Sequence, residues 1–128
     1  MKIISTKIHG VLDYLVGIIL IVSPWLFNFA DGGPQMWIPV VLGASAIVYS
    51  LVTDYEMGVV KAISMKTHLA IDTMSGILLA ASPWIFGFAD NVYLPHLLLG
   101  LLELTAVLMT KTQPEGQYKH SANSHSHA

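Results

Sequence analysis

A chain of 128 residues that is 54% hydrophobic and 11% charged, with a mean hydropathy of +0.62, carries more apolar surface than a soluble domain of this length can bury. Its net charge of -2 and lack of any basic cluster argue against a nucleic-acid partner, and the lipid bilayer is the expected surrounding. Cysteine is absent, which removes disulfide and thiol chemistry.

The first apolar run, 11–29, follows Lys2 and Lys7 and so resembles a secretory signal. His9 and Asp13 interrupt that pattern, no small-x-small cleavage site follows, and the same pattern returns at Ser64, so the run is read as a retained helix. Further runs lie at 37–52, 70–88 and 94–109, each near the ~20 residues a spanning helix needs once uncharged flanks are added. None shows the long charged face of a soluble bundle helix, or the alternation of a membrane β-strand. The fold class expected is an all-α membrane protein with four transmembrane helices, arranged as two tandem parallel helical-hairpin repeats.

The duplication is direct. Residues 5–31 and 64–90 align at a constant offset of 59 with fourteen of twenty-seven positions identical, in the frame S-x-K-x-H-x3-D-x3-G-I-x-L-x2-SPW-x-F-x-FAD. Each copy is followed by a second helix containing Gly43 or Gly100, and aligning those glycines sets Ala46 against Glu103. The organisation expected is 1–63 as the first repeat with its linker, 64–111 as the second, and 112–128 as a disordered cytoplasmic tail bearing His120, His125 and His127, by composition a weak metal scavenger. All six basic residues are lysines, at 2, 7, 61, 66, 111 and 119, so the positive-inside rule puts both termini and the central loop in the cytoplasm and the SPW turns outside. The expected location is the inner (plasma) membrane. Two hairpins entering with one orientation are parallel repeats about an axis along the membrane normal.

Pro24 and Pro83 cannot donate to the carbonyls of Leu20 and Leu79, so each first helix must kink or end there. Ser23 and Ser82 stand where a hydroxyl can bond back into the freed turn or cap a following helix. Trp25 and Trp84, with Phe27, Phe29, Phe86 and Phe88 beside them, fall at headgroup level, where an interfacial anchor is favoured over an aromatic ligand box. The duplicated SPW tripeptide, set in the first helix of each two-helix unit, resembles the SPW repeat family of small prokaryotic integral membrane proteins, over residues 5–111. That resemblance implies a membrane-embedded helical repeat and brings no activity with it.

The chemistry-bearing residues are His9 and Asp13, and His68 and Asp72, spaced i to i+4 and hence on one helix face, with Gly17 or Gly76 one turn deeper permitting close helix approach. An aspartate at a helix centre in lipid costs about 2.5–3.5 kcal/mol, so partners or protonation are required. The first reading is a hydrogen-bonded register between repeats. Its rival is a proton or cation relay through these four residues, extended by Glu103, which has no counterpart in the first repeat. Divalent-metal binding by the two His and two Asp, and haem held by His9 and His68, rank lower, and no cofactor is assigned. Nothing resembles a nucleophile and base pair, a phosphate loop or a cofactor motif, so no enzyme is expected.

Smaller signals remain. Met57, Val60 and Ile63 have the spacing of an interfacial helix, or belong to an ordinary linker. Ala46 with Ser50, and Gly76 with Ala80, give small-x3-small spacing for internal or subunit contacts, and His96 beside Pro95 is expected on the outer surface. The function expected is a structural or interaction component of the membrane, with a homo-oligomeric or other membrane-protein partner left open.

Overall fold

The computed structural model describes residues 2–114; His120, His125, His127 and most of the expected tail lie outside the described residues. The described chain is all-helical: α1 (Thr6–Leu26), α2 (Pro34–Leu51), α3 (Met65–Ile85) and α4 (Leu94–Leu108). The starts follow from the sequence. Ser5 and Ser64, the first letters of the two repeats, accept the backbone N–H of Ile8 and Thr67 at 3.2 and 3.1 Å and cap α1 and α3. Helices α2 and α4 begin with proline in the first turn, where a missing N–H is no loss.

The SPW segment ends its helix by a device repeated in both copies. The Ser23 hydroxyl donates to the Leu20 carbonyl at 2.8 Å and the Ser82 hydroxyl to the Leu79 carbonyl at 2.7 Å. These are the carbonyls the prolines leave without an N–H. Each helix runs two residues past its proline, and the backbone then turns left-handed at Asn28 (φ 64°) and Gly87 (φ 74°). Phe29 and Phe88 donate back to the carbonyls of Pro24 and Pro83 at 2.7 and 2.8 Å, the closing bond of a Schellman-type stop. The expected kink or end is therefore an end.

Each hairpin is packed through glycine. A Cβ on Gly43 would stand 2.5 Å from the Gly17 carbonyl oxygen, and one on Gly100 would stand 2.7 Å from that of Gly76. The close helix approach that Gly17 and Gly76 permit is thus inside each hairpin. Ala46 and Ser50 are buried in the interior of the fold. The buried positions of α1 (6, 9, 10, 13, 17, 20, 23, 24) reappear in α3 shifted by 59 (65, 68, 69, 72, 76, 79, 82, 83). Those of α4 (96, 100, 103) match 39, 43 and 46 of α2, shifted by 57 because the second outer turn is shorter by two residues.

The hairpins meet through α2 with α3 and α1 with α4, and two short bridges close them into a pseudo-twofold ring. Thr53 pairs with Ile63 where the first hairpin ends and the second begins; Thr110 pairs with Ile4 where the second ends and the first begins. Corresponding bonds repeat: Asp54 N–H to the Ile63 carbonyl at 2.7 Å, and Lys111 N–H to that of Ile4 at 2.9 Å. This pairing overturns the interfacial-helix reading of Met57, Val60 and Ile63. Val59 and Val60 both donate to the Leu51 carbonyl, so the segment folds back as a turn.

By length and composition α1 and α2 can cross a membrane, and α4 is apolar but only 15 residues long. Helix α3 has 21 residues, but its apolar run is diluted by His68, Asp72, Thr73 and Ser75. The outward faces are hydrophobic: Val11, Leu15, Ile18 and Val22 on α1, Met74 and Ile77 on α3, and Leu98 and Leu101 on α4 are all exposed.

Candidate functional site

The four residues singled out on α1 and α3 come together in one buried cluster near the end that carries the lysines, and they do so crosswise. His9 Nε2 lies 2.7 Å from Asp72 Oδ2, and His68 Nε2 lies 2.6 Å from Asp13 Oδ2. The partners four residues along the same helix are farther, His9 to Asp13 and His68 to Asp72 each being 3.2 Å. Two nitrogens and two oxygens thus alternate around a small ring that joins the repeats. His9, His68 and Asp72 have no exposed side-chain surface and Asp13 retains 7%.

The surroundings decide where the protons sit on the outer ring nitrogens. The Thr110 hydroxyl donates to the Ala106 carbonyl at 2.5 Å and lies 2.8 Å from His9 Nδ1. With its only hydrogen committed, it must accept, so His9 Nδ1 carries a proton. Thr53 repeats the arrangement, donating to the Tyr49 carbonyl at 2.6 Å and accepting from His68 Nδ1 at 2.8 Å. Each inner Nε2 then faces carboxylate oxygens. Two further protons satisfy the ring whether they reside on nitrogen, as imidazolium and carboxylate, or on oxygen, as imidazole and carboxylic acid, and the net charge is zero in both cases. A neutral cluster is what a low-dielectric interior tolerates.

The cluster departs from symmetry at two points. The Tyr49 hydroxyl donates to Asp72 Oδ1, whereas its counterpart in the second repeat is Ala106. Glu103 is buried on α4, and its counterpart is Ala46. Glu103 is not one of the four residues whose ligand atoms converge. The linker covers the inner end: the Tyr55 ring lies 5.5 Å from that of His68, the Tyr14 hydroxyl donates to the Met57 carbonyl, and Thr6 donates to the Glu56 carboxylate. Burial pushes the Tyr55 phenol above its usual range. Haem does not fit between His9 and His68, because the carboxylates of Asp13 and Asp72 occupy the space between their Nε2 atoms.

At the opposite end the sequence expectation for His96 is wrong. His96 is buried, and its Nε2 donates to the Gln35 carbonyl at 2.8 Å. That carbonyl is four residues before Pro39, whose missing N–H leaves it without a helical partner. A mid-helix proline at 39 was the signal that a donor is required here. Phe29 and Phe88 flank the imidazole at 5.0 and 4.9 Å and are buried, so they are not interfacial as expected. Trp25 and Trp84 are 61% and 56% exposed and point outward, as anchors would. Among the described residues no ring contact joins the two tryptophans; Trp84 lies 5.8 Å from the Tyr93 ring, and the 390 Å³ groove beside Pro24, Trp25 and Asp31 includes one copy of the motif.

Neither the curated proteins nor the solved structures provided a match for this chain. A family model, the SPW repeat domain, matches residues 7–110, a span that takes in both SPW motifs, both His/Asp pairs and the two threonines behind them. On that match over most of its length, the chain belongs to the SPW repeat domain family.

Proposed function

We propose that this protein is a structural or interaction component of the plasma membrane, spanning it four times with both termini and the linker on the cytoplasmic side. The observation that carries the reading is the crossed His/Asp ring, in which every imidazole nitrogen of His9 and His68 has a partner. A buried cluster whose imidazole nitrogens are all bonded, lying on the pseudo-twofold axis, fixes how two hairpins sit against each other. The span is supported by the exposed aliphatic faces, which a soluble monomer could not leave in water. The low hydropathy of α3 is consistent with spanning, because its costly groups are paired inside. The topology is supported by Lys7, Lys61, Lys66 and Lys111 at one end and Trp25, Trp37 and Trp84 at the other. The protein acts without enzymatic chemistry or nucleic acid, and its outward faces contact lipid and a second copy or another membrane protein.

The test is the stability of Asp72→Ala in detergent against wild type and Asp72→Asn. The clasp predicts a large loss for alanine and a small one for asparagine, which can still donate to an imidazole.

One observation favours a second reading, a proton relay: the crossed ring brings two imidazole nitrogens and two carboxylate oxygens within hydrogen-bond distance, so that protons can pass between them. Asp72→Asn would then abolish a pH change driven across proteoliposomes, and unchanged flux would remove the relay.

A further inference from the structure

We propose that the His/Asp ring is also a binding site for one divalent transition-metal ion, held by His9 Nε2, His68 Nε2 and one oxygen each from Asp13 and Asp72. This deepens the clasp reading and rests on it, since the ion would occupy the same joint between the hairpins.

The first ground is the donor set. One ligand atom from each of the four residues lies within 4.8 Å of all the others, and all four residues are buried. In a tetrahedral site with bonds of about 2.0–2.2 Å, neighbouring donors stand about 3.3–3.6 Å apart. The His9–Asp13 and His68–Asp72 edges already measure 3.2 Å, and the crossed edges at 2.6 and 2.7 Å open by roughly 0.6–0.7 Å as the ion replaces the shared protons.

The second ground is the shell behind the ligands. A metal-binding imidazole needs its other nitrogen protonated and held, which fixes the tautomer and aims the free lone pair. Thr110 and Thr53 do this for both rings, each locked as an acceptor by donating to the carbonyl of Ala106 or Tyr49. Asp72 is steadied by the Tyr49 hydroxyl on its other oxygen. A ring that served only to hydrogen-bond could use either histidine tautomer; both copies are built for one.

The third ground is charge. One divalent cation replaces the two shared protons and leaves two neutral imidazoles and two carboxylates, so the cluster stays neutral. A monovalent ion would leave a buried negative charge and a trivalent one a positive charge. Imidazole ligands select a transition metal over magnesium or calcium.

The experiment is equilibrium dialysis of the chelator-stripped, full-length protein in detergent against Co²⁺ and, separately, Zn²⁺, with the bound metal quantified per chain. The histidines at 120, 125 and 127 are a competing sink, so the binding is read in His120→Ala, His125→Ala, His127→Ala protein alongside wild type. One tightly held equivalent should remain without the tail histidines, with a visible Co²⁺ spectrum of an N/O tetrahedral site. Asp72→Asn should weaken it by about 100-fold or more, and Thr53→Val with Thr110→Val by roughly 10- to 100-fold. The proposal is overturned if the tail-substituted protein holds no stoichiometric metal, or if Asp72→Asn binds as wild type does. Metal-free stability separates the two readings. If Asp72→Ala unfolds early in chelator while wild type takes up no ion, the clasp stands without the metal. If Co²⁺ binds but the metal-free variants are as stable as wild type, the metal site stands and the hydrogen-bonded clasp does not.

Discussion

Replacing Asp72 separates packing from pairing. Asp72→Ala removes the acceptor of the Tyr49 hydroxyl and the 2.7 Å partner of His9, and it takes away the 3.2 Å contact of His68. Each buried polar group left without a partner costs about 1–3 kcal/mol. Bonds between membrane helices average only about 0.6 kcal/mol, because the unfolded chain finds other partners in lipid. Breaking a buried pair by deleting one member typically costs about 3–5 kcal/mol, and a loss of about 3 kcal/mol is the working value here. Asparagine has the same shape; its carbonyl can accept from Tyr49 while its amide donates to His9 Nε2, so Asp72→Asn should lose under about 1.5 kcal/mol. Unfolding in mixed micelles of increasing denaturing-detergent fraction, followed by tryptophan fluorescence, measures both. Equal losses for alanine and asparagine would refute the reasoning, since the side chain would then matter for its charge or volume and not for its bonds.

Other outcomes follow from the same geometry. Ser82→Ala should cost about 1 kcal/mol by orphaning the Leu79 carbonyl, and adding Pro83→Ala should recover most of it by restoring the backbone N–H, as denaturation of the single and double variants will show. His96→Ala should likewise destabilise by about 1–2 kcal/mol, with Pro39→Ala reducing the loss because residue 39 can then donate to Gln35 itself. Gly43→Ala places a methyl group 2.5 Å from the Gly17 carbonyl oxygen and should cost about 1–3 kcal/mol in the same assay, the helices being forced apart. Single cysteines introduced at Asp31 and Asp90 should react with an impermeant maleimide added outside intact cells, and one at Met57 should not; the reverse pattern would invert the proposed topology.

Much of the fold was legible because its signals are local. The stop at Pro24 and Pro83 and the hydroxyl that satisfies the freed carbonyl each depend on neighbours within four residues. The His/Asp pairs were legible as a shared helix face, but not as crossed pairs, since spacing within α1 says nothing about which carboxylate of α3 will be nearer. Thr53 and Thr110 escaped notice because they are repeat-related at an offset of 57, not the 59 of the motif, and they act only after the chain has closed into a ring. His96 was misjudged from its neighbour Pro95, when the informative residue was Pro39 on a different helix. Phe29 and Phe88 looked interfacial beside the tryptophans; the left-handed turn at Asn28 and Gly87 swings them inward, and Asn and Gly at those positions are the residues that tolerate it.

The most direct measurement is a double-mutant cycle between His9 and Asp72, with His9→Ala, Asp72→Ala and the double variant unfolded under one set of conditions in the absence of metal. A crossed pair at the joint between repeats predicts that the second substitution adds little to the first, a coupling of about 1 kcal/mol or more. Losses that simply add would contradict the clasp, because His9 and Asp72 would then be stabilising the two hairpins independently.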